Sequence, residues 1–345
     1  MTELPHRKTN IRDVARHVGL SVSTVSRALN GYDDVNAETR KKVQRAAETL
    51  GYRASFAAAT LRSSQTQTVT FMVSKPWTKF VDPFFLGLLD GVEMVLQAQG
   101  YDLQVVMARE FESEIDIIRR TVERNRCDAL LFGRTRPDDE RIDYLQERGF
   151  PFVTIGQTLR NDHDWIDRDH FKIGKIATER LIRLGHDRIA YLSTPYRYTY
   201  SNHNRDGYRA ALEGAGIAHD PALEVECFLS RNTGADAITR LITSGAEPTA
   251  IFCGNDLIAM SAMEAMRSFG LEPGRDIAVI GCDDMPMAVA SHPPLTTFSQ
   301  NLDALGMRMA RMVLNKLGGS PTRLQELVDA QLIVRESDMP PLREV

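Results

Sequence analysis

Four side chains near the amino terminus are spaced to share one face of a short helix and carry groups that can bind the edges of base pairs. They are Val22, Ser23, Ser26 and Arg27. An arginine can donate two hydrogen bonds to guanine O6 and N7, a serine hydroxyl can bond a base or a phosphate, and a methyl group can contact thymine. The alternative is a helical hairpin with a solvated basic face. The combination of residue types favours contact with DNA.

Three short helices are predicted to position these side chains. Apolar residues recur at helical spacing from Ile11 to Val18, and Gly19 ends that stripe. Ser21 and Asn36 are suitable N-caps for a second and a third helix. A second helix that begins directly after a tight turn is typical of a helix-turn-helix unit, in which that helix enters the major groove.

The distribution of charge agrees with a polyanion-binding segment at the amino terminus. The chain of 345 residues has a net charge of -4 at pH 7. Residues 1–62 contain 11 Lys and Arg against 6 Asp and Glu, a net charge of +5, so the rest of the chain is acidic. A small basic segment on an acidic body indicates a nucleic-acid-binding module attached to a second functional unit.

The body of the chain has the pattern of a parallel α/β fold. Residues 53–67 are rich in Ala, Ser, Thr and Gln and are predicted as one marginal helix followed by a linker. Beyond them, apolar strands alternate with amphipathic helices, which predicts two doubly wound lobes with a ligand cleft at the carboxyl ends of the strands. The predicted strands are 68–74, 102–107, 128–133, 152–156, 188–193, 249–254 and 277–282. The predicted helices are 85–99, 112–125, 138–148, 171–184, 203–214, 233–244, 255–269 and 302–317.

Several classes of protein are disfavoured by what the sequence lacks. Its apolar runs are far shorter than the roughly 18–20 residues of a membrane span, and its start has no apolar signal segment. We therefore expect a cytoplasmic protein without a membrane partner, rather than a solute receptor for transport. The four cysteines lack metal-ligand spacing, and no GxSxG, HExxH, Walker or GxGxxG segment is present. We therefore predict no enzyme activity, no catalytic residue, no metal and no cofactor.

Two consecutive segments of the basic head resemble the DNA-binding head of the LacI/GalR family of bacterial transcriptional repressors. They are NIRDVARHVGLSVSTVSRALNG at 10–31 and VNAETRKKVQRAAETLGYR at 35–53. Segments of the body follow in the family's order at 82–93, 184–189, 252–256, 279–284 and 294–300. The resemblance covers nearly the whole chain. It implies an α/β protein with a small all-helical helix-turn-helix head and a two-lobed, doubly wound parallel-sheet effector domain like that of periplasmic binding proteins.

The resemblance divides the chain into three parts. Residues 1–53 would form the helix-turn-helix DNA-binding domain, 54–67 the hinge helix and linker, and 68–345 the effector-binding and dimerisation domain. The implied function is that of a sequence-specific regulator, a repressor of a carbohydrate-utilisation operon, whose operator affinity is controlled by a sugar-like effector. The implied partners are double-stranded operator DNA, the effector and a second copy of the chain in a homodimer associated with the nucleoid. Whether the effector induces or corepresses, and whether the chain forms a dimer or a tetramer, is left open.

By the same resemblance, Val22, Ser23 and Arg27 read the operator bases. For Val22 the alternative is a core contact. The full set of implied DNA contacts is Arg12, Val22, Ser23, Thr24, Ser26, Arg27, Asn30, Ala57 and Leu61. Leu61 matches the hinge leucine that wedges into the minor groove and kinks the duplex. The chain departs from the family's R-P-N-A hinge opening at 53–56, where Ser55 could cap the hinge helix.

The resemblance also places the effector in the cleft between the lobes. The implied effector residues are Phe84, Phe85, Tyr198, Asn204, Arg205, Asn255, Asp256, Asp283 and Gln300. Asp283 follows a predicted parallel strand, where a carboxylate can accept hydrogen bonds from effector hydroxyls or amines. Phe84 and Phe85 could stack on a sugar ring or simply begin a helix. Asp256 could bind the effector or only cap a helix.

One departure from the family bears on the identity of the effector. Many members have an effector-binding arginine three residues before the glycine that here is Gly207, and this chain has Asn204 at that position. Either the neighbouring Arg205 takes over, or the pocket lacks the cation. An uncharged sugar then fits the pocket better than a phosphorylated or carboxylated one. We therefore expect a neutral mono- or oligosaccharide as the effector.

Overall fold

The computed structural model describes residues 9–29, 32–52, 65–74, 83–108, 112–227 and 233–340. These residues belong to two compact units, Met1–Thr66 and Gln67–Val345. Each unit has its own hydrophobic core. The predicted hinge contacts Ala57 and Leu61, and the predicted DNA contact Asn30, lie outside the described residues.

The amino-terminal unit consists of the three predicted helices. They are α1 (Ile11–Val18), α2 (Val22–Leu29) and α3 (Ala37–Thr49). The two predicted N-caps are confirmed, because Ser21 Oγ accepts from the amide of Thr24 at 3.1 Å and Asn36 Oδ1 accepts from the amide of Thr39 at 2.7 Å. One apolar stripe of each helix enters a common core, whose buried members are Val14, Ala15, Val18, Val25, Ala28, Val35, Val43, Ala46 and Ala47.

The first lobe of the body is a six-stranded parallel sheet. Its strands are β1 (Thr68–Val73), β2 (Asp102–Met107), β3 (Ala129–Gly133), β4 (Phe152–Ile155), β5 (Trp165–Arg168) and, from the end of the chain, β11 (Gln325–Val328). The spatial order is β11-β5-β4-β3-β1-β2. One face is covered by α4 (Pro83–Ala98) and α12 (Leu302–Leu317), and the other by α5 (Glu114–Glu123) and α6 (Glu140–Glu147). Because both faces are buried, the central strands are mostly apolar, and their polar residues Thr70 and Thr154 are buried as well.

The second lobe is a four-stranded parallel sheet in the order β7-β6-β8-β9. Its strands are β6 (Ile189–Ser193), β7 (Glu224–Glu226), β8 (Ala250–Cys253) and β9 (Ala278–Ile280). Helices α7 (His170–Arg183) and α8 (Thr199–Gly214) cover one face, and α9 (Thr233–Thr243) and α10 (Asp256–Ser268) cover the other. The short helix α11 (Pro286–Ala290) and the antiparallel pair β10 (Thr297–Ser299) and β12 (Gln331–Ile333) complete the lobe.

The chain crosses between the two lobes three times. The crossings follow β5 at Asp169, β10 at Gln300 and Asn301, and β11 at Asp329. A change in the angle between the lobes therefore requires backbone rotation in three neighbouring segments, which is the arrangement of a hinge.

Glycines bring the helices of each lobe into backbone contact. A Cβ atom at Gly91 of α4 would lie 2.1 Å from the carbonyl oxygen of Asp303 in α12. A Cβ atom at Gly174 of α7 would lie 2.1 Å from the carbonyl oxygen of Asn204 in α8. Since no larger residue fits, α8 and its side chains are held at one distance from the rest of the second lobe.

The seven predicted strands and eight predicted helices are confirmed, with ends that differ by up to four residues. The prediction for 277–282 was too long, because the chain leaves the strand before Asp283, whose φ is 139°. The short elements β5, β7, β10, β11, β12 and α11 were not predicted. Most of them are three to five residues long and are held by a neighbouring strand, so their own sequence has little apolar periodicity.

Two features of the composition can be compared with the structure. All four cysteines are free and buried. None of the helices that the structure describes is long and apolar enough to cross a bilayer.

Candidate DNA-binding face and effector cleft

The face of α2 opposite the head core carries the side chains predicted to read bases. Val22 is 42% exposed, so the interpretation of this residue as a core contact is wrong. Ser23 and Arg27 are also exposed, and Ser26 lies half-buried beside them. The four residues therefore share one accessible helix face, as required of a helix that enters a major groove.

Hydroxyl groups gather at the beginning of α2. Ser21 Oγ lies 2.7 Å from Ser23 Oγ and 2.8 Å from Thr24 Oγ1. The free amides at a helix N-terminus and such hydroxyls are suitable donors to a phosphate. This arrangement agrees with the prediction of Ser23 and Thr24 as DNA contacts. Arg12, the other predicted contact in the described part of the head, is exposed on α1.

Arg27 is held by two side chains that follow α2. Its Nε donates to Asp34 Oδ1 at 3.2 Å, and its Nη2 forms an ion pair with Asp34 Oδ2. The guanidinium also lies over the ring of Tyr32, 5.3 Å from its centroid. The predicted base-reading arginine is therefore ordered before DNA is bound.

In the body, the carboxyl ends of the two sheets approach each other. The amide of Thr199, at the start of α8 after β6, donates to the carbonyl oxygen of Thr135 in the segment after β3 at 3.0 Å. Ligands of parallel sheets bind at this edge of the strands. The predicted effector residues lie on these carboxyl-terminal segments or on the helices that follow them.

Phe84 and Phe85 lie in the first turn of α4 and contact each other edge to face at 5.4 Å. Phe85 is buried and packs against Phe71, and the guanidinium of Arg134 lies 5.3 Å from the centroid of its ring. Phe85 thus belongs to the core of the first lobe, which agrees with the alternative of an apolar helix start. Phe84 is only partly buried and is the better candidate for a ligand contact.

Three aromatic rings contact one another at the starts of α7 and α8. Tyr198 is buried and stacks on Tyr200 at 5.7 Å, and Tyr200 contacts His170 at 5.4 Å. Burial raises the pKa of Tyr200 to about 12. Both phenols are therefore neutral at physiological pH and present flat apolar faces and hydroxyl groups, which is a surface suited to a sugar.

Asn255 and Asp256 at the start of α10 have structural partners. Asn255 is the N-cap, since its Oδ1 accepts from the amide of Ile258 at 2.9 Å. Asp256 is completely buried, and its two oxygens accept from Thr297 Oγ1 at 2.6 Å and from the amide of Met285 at 2.9 Å. Asp256 therefore ties α10 to neighbouring segments, and it is not the helix cap.

Asp283 and Gln300 are brought together at the second crossing between the lobes. Gln300 Nε2 donates to Asp283 Oδ1 and contacts Cys282 Sγ at 3.6 Å. The other amide atom, Gln300 Oε1, is buried without a partner among the described residues. This pair offers a carboxylate and a spare carbonyl acceptor to a ligand.

Asn204 and Arg205 differ sharply in their surroundings. Asn204 is completely buried, and both its Nδ2 and its Oδ1 lack a partner in the described part of the chain. Arg205 lies over the ring of Tyr196, 4.7 Å from its centroid, and 3.6 Å from Asp206. Both amide atoms of Asn204 therefore have hydrogen-bonding capacity that an effector could use, whereas Arg205 contacts Tyr196 and Asp206 of its own lobe and has one atom, Nε, without a hydrogen-bond partner among the described residues.

Three residues at the carboxyl ends of strands have buried polar atoms without a partner among the described residues and were missed by the sequence analysis. They are Ser74 after β1, Arg168 at the end of β5 and His170 at the start of α7. Buried polar atoms without partners are rare in native proteins. A polar residue directly after a strand was the only available signal, and β5 itself had not been predicted.

Comparison with family models covers nearly the whole chain. Residues 10–55 match the model of the bacterial regulatory proteins of the lacI family. Residues 66–335 match the model of the periplasmic binding proteins and sugar binding domain of the LacI family. The two matches meet at the segment that separates the two compact units.

Individual relatives agree with these models over their full length. The chain is 34% identical to the HTH-type transcriptional regulator AglR of Rhizobium meliloti, with 96% of this chain and 94% of the relative covered. It is 32% identical to the HTH-type transcriptional regulator CelR of Thermobifida fusca, with 96% and 98% covered. Among solved structures, a complex of the regulator CelR with cellobiose has a TM-score of 0.73 at 30% identity and covers 96% of this chain and 100% of that one. A lac repressor dimer bound to operator and an anti-inducer has the same fold, with a TM-score of 0.84 at 24% identity over 96% and 100%. The chain belongs to the lacI family of bacterial regulatory proteins.

Proposed function

We propose that this protein is a homodimeric repressor of a carbohydrate-utilisation operon, whose affinity for its operator is controlled by a neutral sugar bound between the lobes. The observation that carries the proposal is the buried Asn204 amide, which has two unpaired polar atoms on a helix that follows a carboxyl-terminal strand edge. A ligand rich in hydroxyl groups would supply both a donor and an acceptor to it. We assign no catalytic step to the cleft, because the relatives named above are transcriptional regulators.

The head supports the DNA-binding part of the proposal. Its recognition face presents Val22, Ser23 and Arg27 to solvent, while the opposite side of α2 is used for the core. We propose that these three side chains read bases and that Arg12, Thr24 and Ser26 help to position the head. Asn30, Ala57 and Leu61 remain predictions from the resemblance.

The class of effector is argued from the cleft and from the relatives. The cleft offers Asn204, Gln300 and Asp283 for hydrogen bonds and Phe84 with Tyr198 as apolar faces. Polar groups that fix orientation and aromatic rings that pack against ligand faces are the usual composition of small-molecule sites. The relative CelR has been solved with cellobiose, and another relative, at 31% identity, is the ribose operon repressor of Escherichia coli. We therefore propose an uncharged sugar.

The surface of the first lobe supports a dimer. Strand β2 lies at the edge of the six-stranded sheet and exposes Val105 and Met107. The neighbouring helix α4 exposes Leu86 and Met94. Exposed apolar side chains on an edge strand and an adjacent helix are suited to burial against a second copy of the chain.

The three crossings between the lobes suggest how the effector acts. A sugar bound at Asn204 in one lobe and at Phe84 in the other would favour one angle between the lobes. In a dimer this angle sets the separation of the two segments that lead to the heads, and both heads must reach adjacent half-sites on the operator. Binding of effector and operator is then coupled, and the coupling is reciprocal.

The proposal is tested by measuring the binding of fluorescent promoter DNA to the full-length protein at physiological salt. The DNA would be taken from upstream of its own gene and neighbouring genes, with and without neutral sugars such as cellobiose and ribose. We expect tight binding to one palindromic site and a change of affinity with one sugar, in either direction. Specific binding that no sugar changes would contradict the effector assignment, and binding without sequence preference would contradict the regulator assignment.

A further inference from the structure

The guanidinium of Arg168 is buried with most of its hydrogen-bonding capacity unused. The residue is 3% exposed. Its Nη1 donates to the carbonyl oxygen of Asp329 at 3.2 Å, but its Nε and Nη2 have no partner among the described residues. These two nitrogens lie on the same edge of the planar group, so their N–H bonds are parallel and can bind two neighbouring oxygen atoms.

Another buried arginine of the same lobe has the opposite surroundings. Arg141 is completely buried, and its guanidinium is bonded to the carboxylates of Asp139 and Glu114 and to the carbonyl oxygen of Arg134. All three side-chain nitrogens of this arginine are therefore paired. Removing a guanidinium from water without such partners is costly, so the two unpaired nitrogens of Arg168 require a reason.

The carboxylate that precedes Arg168 in the sequence forms no hydrogen bond with its guanidinium. Asp167 points its Oδ1 at the backbone amide of Arg168 and its Oδ2 at Gln157 Nε2, at 2.8 and 3.3 Å. Burial lowers the pKa of Arg168 to about 10, while Cys282, Asp167 and Asp283 raise it and Arg308 lowers it. The side chain is therefore still charged at physiological pH and lies within electrostatic range of the Asp283 carboxylate.

The position of Arg168 in the fold is shared with the candidate effector residues. It is the last residue of β5 and precedes the first crossing between the lobes. Its one hydrogen bond reaches the third crossing at Asp329, and its electrostatic neighbours Cys282 and Asp283 contact Gln300 at the second crossing. The unpaired edge of the guanidinium thus belongs to the region where all three crossings meet.

We propose that Arg168 is an effector-binding residue, which donates from Nε and Nη2 to two adjacent hydroxyl oxygens of an uncharged sugar. The Asp283 carboxylate would accept from the same hydroxyl groups, and the pair of opposite charges leaves the site close to neutral. Arg168 in β5 thereby supplies the positive charge that is missing at position 204 in α8, where this chain has Asn204 in place of an arginine. The identity of the ligand as a sugar rests on the proposed function. The unpaired state of the Arg168 side chain does not.

The first test compares two buried arginines without any ligand. Urea unfolding of the full-length protein would be measured for the wild type, Arg168→Met and Arg141→Met. We expect Arg168→Met to raise the midpoint, because it removes a buried guanidinium with two nitrogens that have no hydrogen-bond partner among the described residues, and Arg141→Met to lower it, because it leaves carboxylates unpaired. A midpoint lowered in both variants would show that Arg168 is structural and would overturn the proposal.

The second test measures ligand affinity by calorimetry with cellobiose, ribose, maltose and glucuronate. For a neutral sugar that binds the wild type, we expect Arg168→Met to raise Kd by about 10-fold to 100-fold, the range for hydrogen bonds to a charged group. Arg275→Met, on the exposed surface of the second lobe, is the matched control and should leave Kd unchanged. An unchanged Kd in Arg168→Met, or tighter binding of glucuronate than of every neutral sugar, would overturn the proposal. If none of the four probes binds, the proposed sugar control fails for these ligands, and the unfolding comparison still decides whether Arg168 is structural.

Discussion

Arg27 in the recognition helix and Asp34 after it form a two-point ion pair, with both side chains about half exposed. The pair fixes the guanidinium over Tyr32 and places a negative charge beside the face that is proposed to meet DNA. An exposed pair of this kind contributes at most about 1 kcal/mol, so a guanine can displace it at a moderate cost. Asp34 and Tyr32 thus hold the Arg27 guanidinium in place, and Asp34 offsets part of its charge until a guanine displaces the ion pair.

Replacing Arg27 separates base reading from phosphate binding. We expect Arg27→Ala to cost about 1–3 kcal/mol on the operator and little on random DNA, because a bidentate contact to guanine is lost. The measurement is fluorescence anisotropy with both DNAs at the same salt concentration. Equal losses on the two DNAs would reduce Arg27 to a phosphate contact.

Replacing Asp34 is expected to lower the discrimination between DNAs. Asp34→Asn frees Arg27 for any phosphate, so we expect binding to random DNA to tighten by about twofold to fivefold, in line with the strength of an exposed pair. Asp33→Asn removes the same charge from the adjacent position and is the matched control. If both variants tighten binding equally, net charge rather than the ion pair is responsible.

Replacing Asn204 by an apolar residue is expected to stabilise the fold and to abolish the response of operator binding to the effector. We expect Asn204→Leu, which keeps the number and branching of the side-chain heavy atoms, to raise the free energy of unfolding by about 1 kcal/mol, since two buried polar atoms without partners are removed. Operator binding should persist without any response to the sugar. Asn202→Leu is the control, because Asn202 Nδ2 donates to the carbonyl oxygens of Tyr196 and Tyr198, and its loss should destabilise the protein. Destabilisation by Asn204→Leu would indicate a structural role.

Asp256 predicts a dependence of stability on pH. Burial raises its pKa in the folded protein to about 6, against about 3.9 in an unfolded chain. The folded state therefore binds the proton more tightly, so this contribution is fully present below about pH 4 and is lost as the pH rises to 6. Urea unfolding between pH 4 and 7 should show the wild type losing stability relative to Asp256→Asn. A constant difference between the two proteins would contradict the shifted pKa.

Helix packing predicts opposite effects for two glycine substitutions. Gly91→Ala places a Cβ atom 2.1 Å from the carbonyl oxygen of Asp303 and should lower the free energy of unfolding by about 1–3 kcal/mol. Gly214→Ala at the end of α8 meets no atom within 4 Å and should be neutral or stabilising by up to about 1 kcal/mol. Thermal unfolding of both variants checks the difference, and a neutral Gly91→Ala would mean that α4 and α12 can separate freely.

Much of the fold and part of the site could be predicted from local sequence. Helix caps at Ser21 and Asn36 use hydrogen bonds within three residues, and the apolar strands follow from periodicity, so neither requires knowledge of distant contacts. The exposed face of α2 follows in the same way from the residues that its opposite face buries. These features depend on interactions that are short in sequence.

The sequence by itself therefore determined a helical DNA-binding head, a parallel α/β body and the set of residues from which a site could be built. Only the tertiary structure decided which of these residues have buried polar atoms without hydrogen-bond partners. Asp256 begins a helix after a strand and Arg168 ends a strand, yet Asp256 is bonded to Thr297 and Met285 while two Arg168 nitrogens remain unpaired. The physical reason is that the hydrogen-bond partners of these two side chains lie 29, 41 and 161 residues away, and no local pattern records whether such a partner arrives.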